Sequence, residues 1–456
     1  TIYKIVNRIE VHYLSKPIVF YRIWIIDNSW EPKKTWHKGN YHIFYQHFPY
    51  DNKWGTMHWG HATSKDLVNF EHHPIALYPS KEYDCNGCFS GTSLAEEDGL
   101  RFYYTGIKYN KTLKGDIHRP ENNNFDACQV EIVSKDGYKF DNIKDKTLII
   151  PPITNKALGN KTHTRDPKVW KYKDKYSMIV GSKFEKEDHT GFIGEALFYT
   201  SEDGDKWTYK NRCFDEKIGD MWECPDLFKV NGKYVLLLSP ENITLDGKNY
   251  TNNSIYSIVE YDEDECEMKI VNDYSYVDLG LDLYAPQTTL DKDGNRIMIG
   301  WMRMPKKFDG EEWIGMMSLP RVINVIDNDV YFNVPNYIDK LFDKKIDISS
   351  FKFNEPYKIE TKLKDGSSLK IGELVISVED DQVLVDRSKV FVSDVQIGTV
   401  FNTPKLDGKY ELKIYVDNGI VEIFVNGGRY VISNVIYNNK SSIEAKDIEN
   451  IEVYSM

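Results

Sequence analysis

The sequence predicts an all-β protein that consists of a five-bladed β-propeller followed by a C-terminal β-sandwich. A short strand motif returns five times at a spacing near 60 residues, and helical periodicity is almost absent from about the first 330 residues. Plain alternation of apolar and polar residues replaces this motif in the tail. Together these patterns indicate β-structure throughout, in two arrangements.

The five repeats are short apolar runs that each begin after a Gly, Asp or Asn turn. They read GNYHIFYQ (39–46), GLRFYYTG (99–106), DKYSMIVG (174–181), GKYVLLLS (232–239) and GNRIMIGW (294–301). Aligning Tyr41, Arg101, Tyr176, Tyr234 and Arg296 gives spacings of 60, 75, 58 and 62 residues. A period of this length fits four strands per blade with generous loops. Each repeat therefore predicts one blade.

The tail has a different organisation. The run KIYVDNGIVEIFVNGG (413–428) is two strands joined by an Asp-Asn-Gly turn, which is a strong hairpin signal. The most helix-like stretch, NYIDKLFDKK, precedes the tail. We therefore expect a propeller at 1–335, a linker at 336–345 and a sandwich at 346–456.

Composition narrows the possible functions. The 456 residues include 58 Lys and Arg against 70 Asp and Glu, a net charge of −12 that disfavours nucleic-acid and anionic-membrane partners. No apolar run approaches the roughly 20 residues of a membrane helix. The six cysteines are too few for a disulfide scaffold, and only Cys85 and Cys88 lie close together. We expect free thiols, no visible signal peptide and a cytoplasmic protein.

Three acidic residues fall at the axial positions of the repeat. In a propeller the first strand of each blade lies beside the central axis, about ten residues before the aligned position. Asp166 and Glu223 occur there, ten and eleven residues before Tyr176 and Tyr234, and Asp27 precedes Tyr41 by fourteen. Either these carboxylates converge on one axial pocket, or they are solvated turn residues like most acidic residues of the chain.

At these residues the chain resembles glycoside hydrolase family 32, which contains invertases, sucrose-6-phosphate hydrolases and fructanases. The resemblance spans nearly the whole chain and implies a five-bladed propeller with a C-terminal sandwich. It is carried by HIFYQHFPYDNKWGTMHWGHATSKDLVNF (42–70), CFSG (88–91), HTRDPKVW (163–170), WECPDLF (222–228), LDLYAPQT (281–288), GWM (300–302), MMSLPR (316–321) and VEIFVN (421–426).

The resemblance implies roles for individual residues. Asp166 matches the carboxylate that stabilises the transition state, and Glu223 matches the general acid/base. The positions that match a substrate-binding role are Trp24, Gln46, Trp54, Phe89, Ser90 and Arg165. No metal and no organic cofactor is implied.

The nucleophile is where the chain departs from the family. The family motif reads Trp-Met-Asn-Asp-Pro-Asn-Gly, whereas this chain has WIIDNSW at 24–30. Counting back without gaps from the first repeat places Trp30 at the nucleophile. We assign the role to Asp27, because the Trp-x-x-Asp spacing is retained and a tryptophan cannot attack a sugar.

The function expected from this resemblance is that of a retaining β-fructofuranosidase acting on sucrose, sucrose 6-phosphate or short fructans. Such a reaction needs a carboxylate nucleophile and a second carboxyl group that protonates the leaving oxygen. Two alternatives stay open: a sugar-binding protein whose altered first motif has lost activity, and a fructosyltransferase. The only expected partner is a small sugar, and the sandwich is compatible with a monomer or a homodimer.

Overall fold

The computed structural model is an almost purely β-structure. It describes residues 23–27, 39–96, 99–245, 250–349, 355–392, 397–417, 419–439 and 442–456. Within these ranges the only α-helix is α1 (Asn336–Asp339), and single 3₁₀ turns occur at Glu82–Asp84 and Glu121–Asn123. None of the described helices is long and apolar enough to cross a membrane. The expected all-β class is confirmed.

The first antiparallel meander corresponds to the first repeat. Its strands, which pair in chain order, are β1 (Ile23–Asp27), β2 (Tyr41–His47), β3 (His58–Ser64) and β4 (Phe70–Leu77). The pairing of β1 with β2 runs from Ile23↔Tyr45 to Ile25↔Ile43. Strand β1 also pairs in parallel with the next meander, where Asp27 lies opposite Leu94.

The second meander carries a small inserted hairpin. Its strands are β5 (Gly87–Ala95), β6 (Leu100–Tyr109), β9 (Phe125–Ser134) and β10 (Lys146–Ile150), and the insert is β7 (Thr112–Leu113) with β8 (Asp116–Pro120). The aromatic and β-branched residues of β5, β6 and β9 are almost all buried, as expected of strands covered on both faces.

The third and fourth meanders repeat this plan. The third consists of β11 (Arg165–Tyr172), β12 (Lys175–Glu185), β13 (Phe192–Ser201) and β14 (Thr208–Phe214). The fourth consists of β15 (Met221–Val230), β16 (Lys233–Glu241), β17 (Ile255–Asp262) and β18 (Glu267–Ile270), with β19 (Ser275–Tyr276) added on β17.

The fifth meander completes the series that the repeats predict. It consists of β20 (Leu283–Leu290), β21 (Arg296–Met302), β23 (Arg321–Ile326) and β24 (Asp329–Asn333), with β22 (Met316–Met317) on β21. The first strands of the five meanders contact one another in the order β1, β5, β11, β15 and β20, and β20 in turn contacts β1.

Four of these first strands contain a β-bulge at the same place. Their pairing with the second strand of the meander is interrupted at Cys88/Gly91, Arg165/Lys168, Glu223/Asp226 and Tyr284/Gln287. A bulge bends its strand and turns side chains away from the regular alternation. The bulges therefore decide which side chains point towards the other first strands.

The C-terminal part contains two further sheets. One is formed by β25 (Lys344–Lys345), β35 (Ile451–Ser455), β26 (Tyr357–Lys362), β31 (Glu411–Asp417), β32 (Ile420–Val425) and β33 (Tyr430–Val435), and the other by β30 (Val400–Asn402), β29 (Gln382–Asp386), β28 (Leu374–Glu379), β27 (Ser368–Ile371) and β34 (Ile443–Lys446). Alternate side chains of both sheets meet in one apolar cluster, which includes Ile359, Ile376, Val385 and Ile423.

Buried ion pairs join the fifth meander to the C-terminal sheets. The guanidinium of Arg321 lies 2.7 Å from Glu422 and 2.8 Å from Asp278, and all three side chains are inaccessible to solvent or nearly so. Arg387 pairs with Asp282 in the same interface, again with both side chains buried. Removing one partner of such a pair leaves an uncompensated buried charge, so these contacts fix how the two parts meet.

All six cysteines lie in the described part of the chain, and none of them forms a disulfide. Five are buried and Cys85 is exposed. Burial raises the pKa of the Cys128 thiol to about 12 and also raises that of Cys85.

Histidines cluster in the first meander, where burial keeps them neutral. Burial lowers the pKa of His47 and of His58 from 6.5 to about 4, and it lowers the pKa of His61 well below 6.5. The His61 ring stacks on Phe44 with centroids 4.4 Å apart, and its Nε2 lies 3.1 Å from Nδ1 of His42. Protonating this cluster would place positive charge in an apolar, aromatic setting.

We expect the free energy of unfolding to decrease as the pH falls from about 6.5 to about 4, because the unfolded chain then binds protons that the native histidines do not. Each such histidine contributes a slope of about 1.4 kcal/mol per pH unit. Urea unfolding at several pH values measures this slope. His58→Gln should reduce it by about one proton. Equal slopes in the wild type and His58→Gln would contradict the prediction.

Candidate functional site

Three side chains from three meanders occupy the same position of the bulge and meet in one cluster. Arg165, Glu223 and Tyr284 are each the last residue paired before the interruption, opposite Gly181, Ser239 and Trp301. Their relative exposures are 6%, 4% and 3%, respectively. The cluster is therefore nearly withdrawn from solvent.

Arg165 and Tyr284 contact different oxygens of the Glu223 carboxyl group. Nε and Nη2 of Arg165 donate to Oε1 of Glu223 over 3.1 and 3.0 Å. The hydroxyl of Tyr284 lies 2.5 Å from Oε2. Arg165 Nη2 also donates to Glu241 over 2.7 Å, so two carboxyl groups share the guanidinium. Such charge-assisted contacts are short and directional, and they fix the orientation of the Glu223 carboxyl group.

The Tyr284 hydroxyl allows Glu223 to exist in either protonation state. This oxygen lies 2.8 Å from the carbonyl oxygen of Ser239 as well as 2.5 Å from Glu223 Oε2. A phenol has one proton, and a carbonyl oxygen only accepts. When Tyr284 donates to Ser239, a protonated Glu223 can donate to the phenol oxygen; when Tyr284 donates to Glu223, the carboxylate accepts. A residue that acts first as acid and then as base needs this freedom.

Asp166 is the residue after Arg165 in β11, and it contacts the residue after Glu223 in β15. Its carboxylate oxygen Oδ2 accepts hydrogen bonds from the backbone N–H of Cys224 over 3.0 Å and from its thiol over 3.4 Å. Its own backbone N–H donates to Thr105. Asp166, Cys224 and Ala285 are adjacent to the clustered residues in their strands, and all three have left-handed backbone conformations with φ of 67°, 49° and 47°. The bulge thus places Asp166 beside the residue that follows Glu223.

A buried ion pair lies directly after the bulges of the third and fourth meanders. The ammonium of Lys168 donates to Asp226 over 3.2 Å and to the carbonyl of Thr288 over 2.9 Å. The backbone N–H of Thr288 donates to the same Asp226 oxygen over 2.8 Å. Lys168 and Asp226 resume strand pairing after their bulges. The pair therefore links the first strands of the third, fourth and fifth meanders.

The first two meanders supply an aromatic and polar wall. Trp54 packs edge-on against Phe89 with ring centroids 5.1 Å apart. The side-chain amide of Gln46 donates to the Cys88 carbonyl over 3.0 Å, and both Gln46 and Ser90 are fully buried. Phe89 and Ser90 are the two residues of the β5 bulge, and Gln46 and Trp54 contact this part of the strand, which in turn contacts β11. Sugars bind to surfaces of this mixed kind, with few polar groups and large rings.

His163 connects this wall to the cluster. Its ring lies 5.7 Å from that of Phe125, and its Nδ1 lies 3.0 Å from Nη1 of Arg165. An arginine only donates, so Nδ1 accepts and the imidazole proton is on Nε2. Burial and the charge of Arg165 lower the pKa of His163 to about 3, which keeps the ring neutral.

In the described part of the chain, no group of three His, Cys, Asp or Glu side chains is placed to hold a metal.

The repeat spacing predicts Asp166 at the position equivalent to Glu223, whereas the strand register gives that position to Arg165. Tyr284 and Glu241, which complete the cluster, were not predicted. The signal that identifies the shared position is a tripeptide ending in proline: Arg-Asp-Pro at 165–167, Glu-Cys-Pro at 223–225 and Tyr-Ala-Pro at 284–286. Its first residue joins the cluster, and its second is the left-handed one.

The pairing of β1 with β2 shows how far the backbone of Trp24 and Asp27 lies from the level of the cluster. Continuing its register with β2, Asp27 falls opposite Tyr41, about five residues or roughly 16 Å beyond the level of Gln46. The shared position of Arg165 and Glu223 corresponds to Gln46 in the second strand of the first meander. For Asp27 to reach Glu223, β1 would have to shift along β2 by that distance. Trp24, opposite Phe44, lies closer to the required level.

Family models match most of the length of the chain. The family model for the N-terminal domain of glycosyl hydrolases family 32 matches residues 31–334, and the model for the C-terminal domain matches residues 363–456. The chain belongs to glycosyl hydrolase family 32. It is therefore a glycoside hydrolase, and the resemblance read from its motifs is confirmed. The N-terminal match begins four residues after Asp27.

Individual relatives agree with this assignment. Over 446 residues the chain is 30% identical to a sucrose-6-phosphate hydrolase of Vibrio alginolyticus, covering 92% of this chain and 86% of the relative. A β-fructofuranosidase of family 32 from Bombyx mori has a TM-score of 0.76 and 28% identity, covering 95% and 91% of the two chains. The structure of a sucrose-6-phosphate hydrolase from Lactobacillus gasseri has a TM-score of 0.78 at 22% identity, covering 99% and 95%.

Two glycines allow β15 to pack closely on the third meander. A Cβ atom at Gly181 would lie 1.8 Å from the carbonyl oxygen of Trp222, and one at Gly194 would lie 2.2 Å from the Trp222 ring. A backbone carbonyl of a paired strand cannot move aside without shifting its neighbours. Trp222 precedes Glu223, so these glycines determine the position of the Glu223 backbone.

We expect Gly181→Ala to lower the free energy of unfolding by about 1–3 kcal/mol, because the added methyl overlaps a backbone atom. Urea or thermal unfolding measures the effect. Gly191→Ala is the matched control, since a Cβ there meets nothing within 4 Å and the site lies in the same hairpin. If the two variants have the same stability, the close approach to Trp222 does not constrain the fold.

Proposed function

We propose that the five meanders are the blades of a five-bladed β-propeller over residues 1–335. The closed order of contacts among the five first strands supports this, because such contacts are what a ring of blades produces. Residues 346–456 then form a β-sandwich, supported by the apolar cluster that the two C-terminal sheets share. The intervening segment 336–345 is a linker that ends in β25, at the edge of one sandwich sheet.

The enzyme hydrolyses the fructosyl bond of sucrose or of sucrose 6-phosphate with retention of configuration. The observation that carries this proposal is the buried contact of Glu223 with both Arg165 and Tyr284, beside the buried carboxylate of Asp166. The names of the relatives support the substrate class. A second structure of the Bombyx mori enzyme, 27% identical to this chain, contains sucrose bound to a variant.

Glu223 is the general acid and then the general base of this reaction. In the first step its proton passes to the glycosidic oxygen as the bond to fructose breaks. In the second step the carboxylate accepts a proton from the water that releases fructose. The Tyr284 hydroxyl turns between Ser239 and Glu223 to follow this change. Asp166 stabilises the positive charge that develops on the fructosyl ring and accepts hydrogen bonds from its hydroxyls.

The nucleophile is a carboxylate of the first blade, and we keep Asp27 as its candidate. Its support is the Trp-x-x-Asp spacing and its position in the first strand of that blade. The register of β1 with β2 requires a shift of this strand for Asp27 to attack. Glu31, where the family match begins, is the alternative carboxylate in the sequence.

A reducing compartment suits this protein. None of its six cysteines is oxidised to a disulfide, although Cys85 and Cys88 are close in sequence. We therefore keep a cytoplasmic location as part of the proposal. Its partner is a small sugar substrate, and a homodimer through the sandwich is compatible with the fold.

Glu223→Gln should lose roughly 10²–10⁴-fold of kcat on sucrose or sucrose 6-phosphate, because an amide cannot protonate the leaving oxygen. With fructosyl fluoride, whose leaving group needs no proton, the rate of the first step should be largely retained. Release of reducing sugar and of fluoride measures the two cases.

Glu202→Gln is the control, since Glu202 is an exposed glutamate that pairs with Lys175 away from the cluster. Equal loss on sucrose and fructosyl fluoride would show that Glu223 is not the acid. A wild-type enzyme that binds these sugars in a calorimeter without releasing fructose would instead make the protein a binding protein.

Asp27→Asn should abolish turnover of sucrose and of fructosyl fluoride alike, because no leaving group compensates for a missing nucleophile. Glu31→Gln, assayed in parallel on both substrates, is the matched comparison. If Glu31→Gln is inactive on both while Asp27→Asn retains wild-type rates, the nucleophile is Glu31 and the assignment of Asp27 is wrong.

A further inference from the structure

A lysine on the face of the third meander that is turned to the fourth has no carboxylate partner among the described residues. Lys183 lies in β12 opposite Gly194. Across the described ranges, no carboxylate oxygen lies within 4.0 Å of its ammonium group and no hydrogen bond to it is formed. The ammonium instead lies 4.4 Å from the ring centroid of Phe192, which is 36% exposed. An aromatic face holds a cation in place while its donors stay available.

The strand geometry directs Lys183 towards the acid. Side chains two residues apart on a strand share a face, as do directly paired residues. Both Gly181, two residues earlier, and Gly194, the partner of Lys183, face Trp222 of the fourth meander. Lys183 therefore projects to the same side, roughly 7 Å beyond the level of Arg165 and Glu223.

The charges around Lys183 are those of the catalytic cluster. Burial lowers the pKa of the Lys183 ammonium, and the charge of Arg165 lowers it as well, whereas Glu241, Asp220 and Glu223 raise it. Glu241 is already bound to Arg165, and Asp220 accepts a hydrogen bond from Asn242 over 2.7 Å. A partly desolvated cation whose acidic neighbours bind other groups gains from an anionic ligand.

His163 presents a second donor beside the same cluster. Its Nδ1 accepts from Arg165, so its Nε2–H is directed away from the guanidinium. The ring is neutral because burial lowers its pKa to about 3, so this tautomer persists across the working range of pH. A neutral N–H and an ammonium together match an oxyanion with several acceptor oxygens.

We propose that Lys183, assisted by Nε2–H of His163, binds a phosphate ester on the leaving sugar and makes the enzyme selective for a phosphorylated substrate. The inference rests on the proposed function, in which Glu223 protonates the leaving oxygen and the leaving sugar occupies the open side of the acid. A phosphate monoester carries nearly two negative charges and three acceptor oxygens, and an ammonium offers three donors.

The test compares sucrose 6-phosphate with sucrose in wild-type enzyme, Lys183→Gln and Lys183→Arg. Lys183→Gln should lower the ratio of kcat/KM for sucrose 6-phosphate to that for sucrose by about 10–100-fold, the range of a hydrogen bond to a charged group. The loss should appear in KM rather than kcat, because the phosphate does not react. Lys183→Arg keeps the charge and should keep most of the selectivity. Inhibition by glucose 6-phosphate should weaken in Lys183→Gln by a similar factor.

Lys175→Gln is the control, since Lys175 lies at the other end of β12 and pairs with Glu202. An unchanged substrate ratio in Lys183→Gln overturns the inference, whatever the absolute rates, and so does inorganic phosphate inhibiting as strongly as glucose 6-phosphate. A wild-type enzyme that cleaves neither sugar overturns the proposed function instead. Thermal unfolding of each variant shows that it is folded before its ratio is interpreted.

Discussion

The β-bulge in the first strand of the meanders is the constraint from which the site follows. Each bulge interrupts pairing for two residues, and in three meanders the first of these has a left-handed backbone although it is not glycine, at Asp166, Cys224 and Ala285. Such a conformation costs roughly 1 kcal/mol or more per residue. The second unpaired residue is proline each time, at 167, 225 and 286, so no N–H is left without an acceptor. Strain and missing donors are thus confined to the place where the side chains converge.

Because the three bulges are in register, each of the three meanders contributes one group to the contacts of the Glu223 carboxyl group. Arg165 alone would hold Glu223 ionised, since a guanidinium keeps its charge at every working pH. Glu241 shares that guanidinium and so weakens its hold on Glu223. The Tyr284 hydroxyl and the Ser239 carbonyl provide a place for the proton on the opposite oxygen. The balance of these contacts lets one carboxyl group serve in both protonation states.

The sequence revealed the five meanders because each second strand begins at a recognisable turn and is uniformly apolar. It did not reveal which residue of each first strand is equivalent to which. Arg165 and Glu223 both precede their aligned tyrosines by eleven residues, whereas Asp166, the acidic residue beside Arg165, precedes Tyr176 by ten. A bulge leaves no trace in hydrophobic periodicity, so the identity of the clustered position had to come from strand pairing.

The sequence also did not reveal ion pairs between residues far apart in the chain. Arg321 and Glu422 are far apart in sequence, and each is a charged residue within an apolar segment that would ordinarily be read as a strand end. Only the packing of the fifth meander on the C-terminal sheets brings them together. The motif MMSLPR was recognised as part of a family resemblance, but its arginine proved to serve the interface between the two parts of the chain and not the site.

The layered construction also explains where substrate selectivity can reside. The levels of Glu223, Asp166 and Lys168 are tied to neighbouring meanders by ion pairs and hydrogen bonds, so a substitution there disturbs several strands at once. The β12–β13 hairpin extends past these levels, and Lys183 and Phe192 lie on that extension. Among the described residues, neither side chain forms an ion pair or a hydrogen bond with a neighbouring meander. A glycosidase can therefore keep its fructosyl-bond chemistry fixed at the inner strands while the hairpin sets which leaving sugar it accepts.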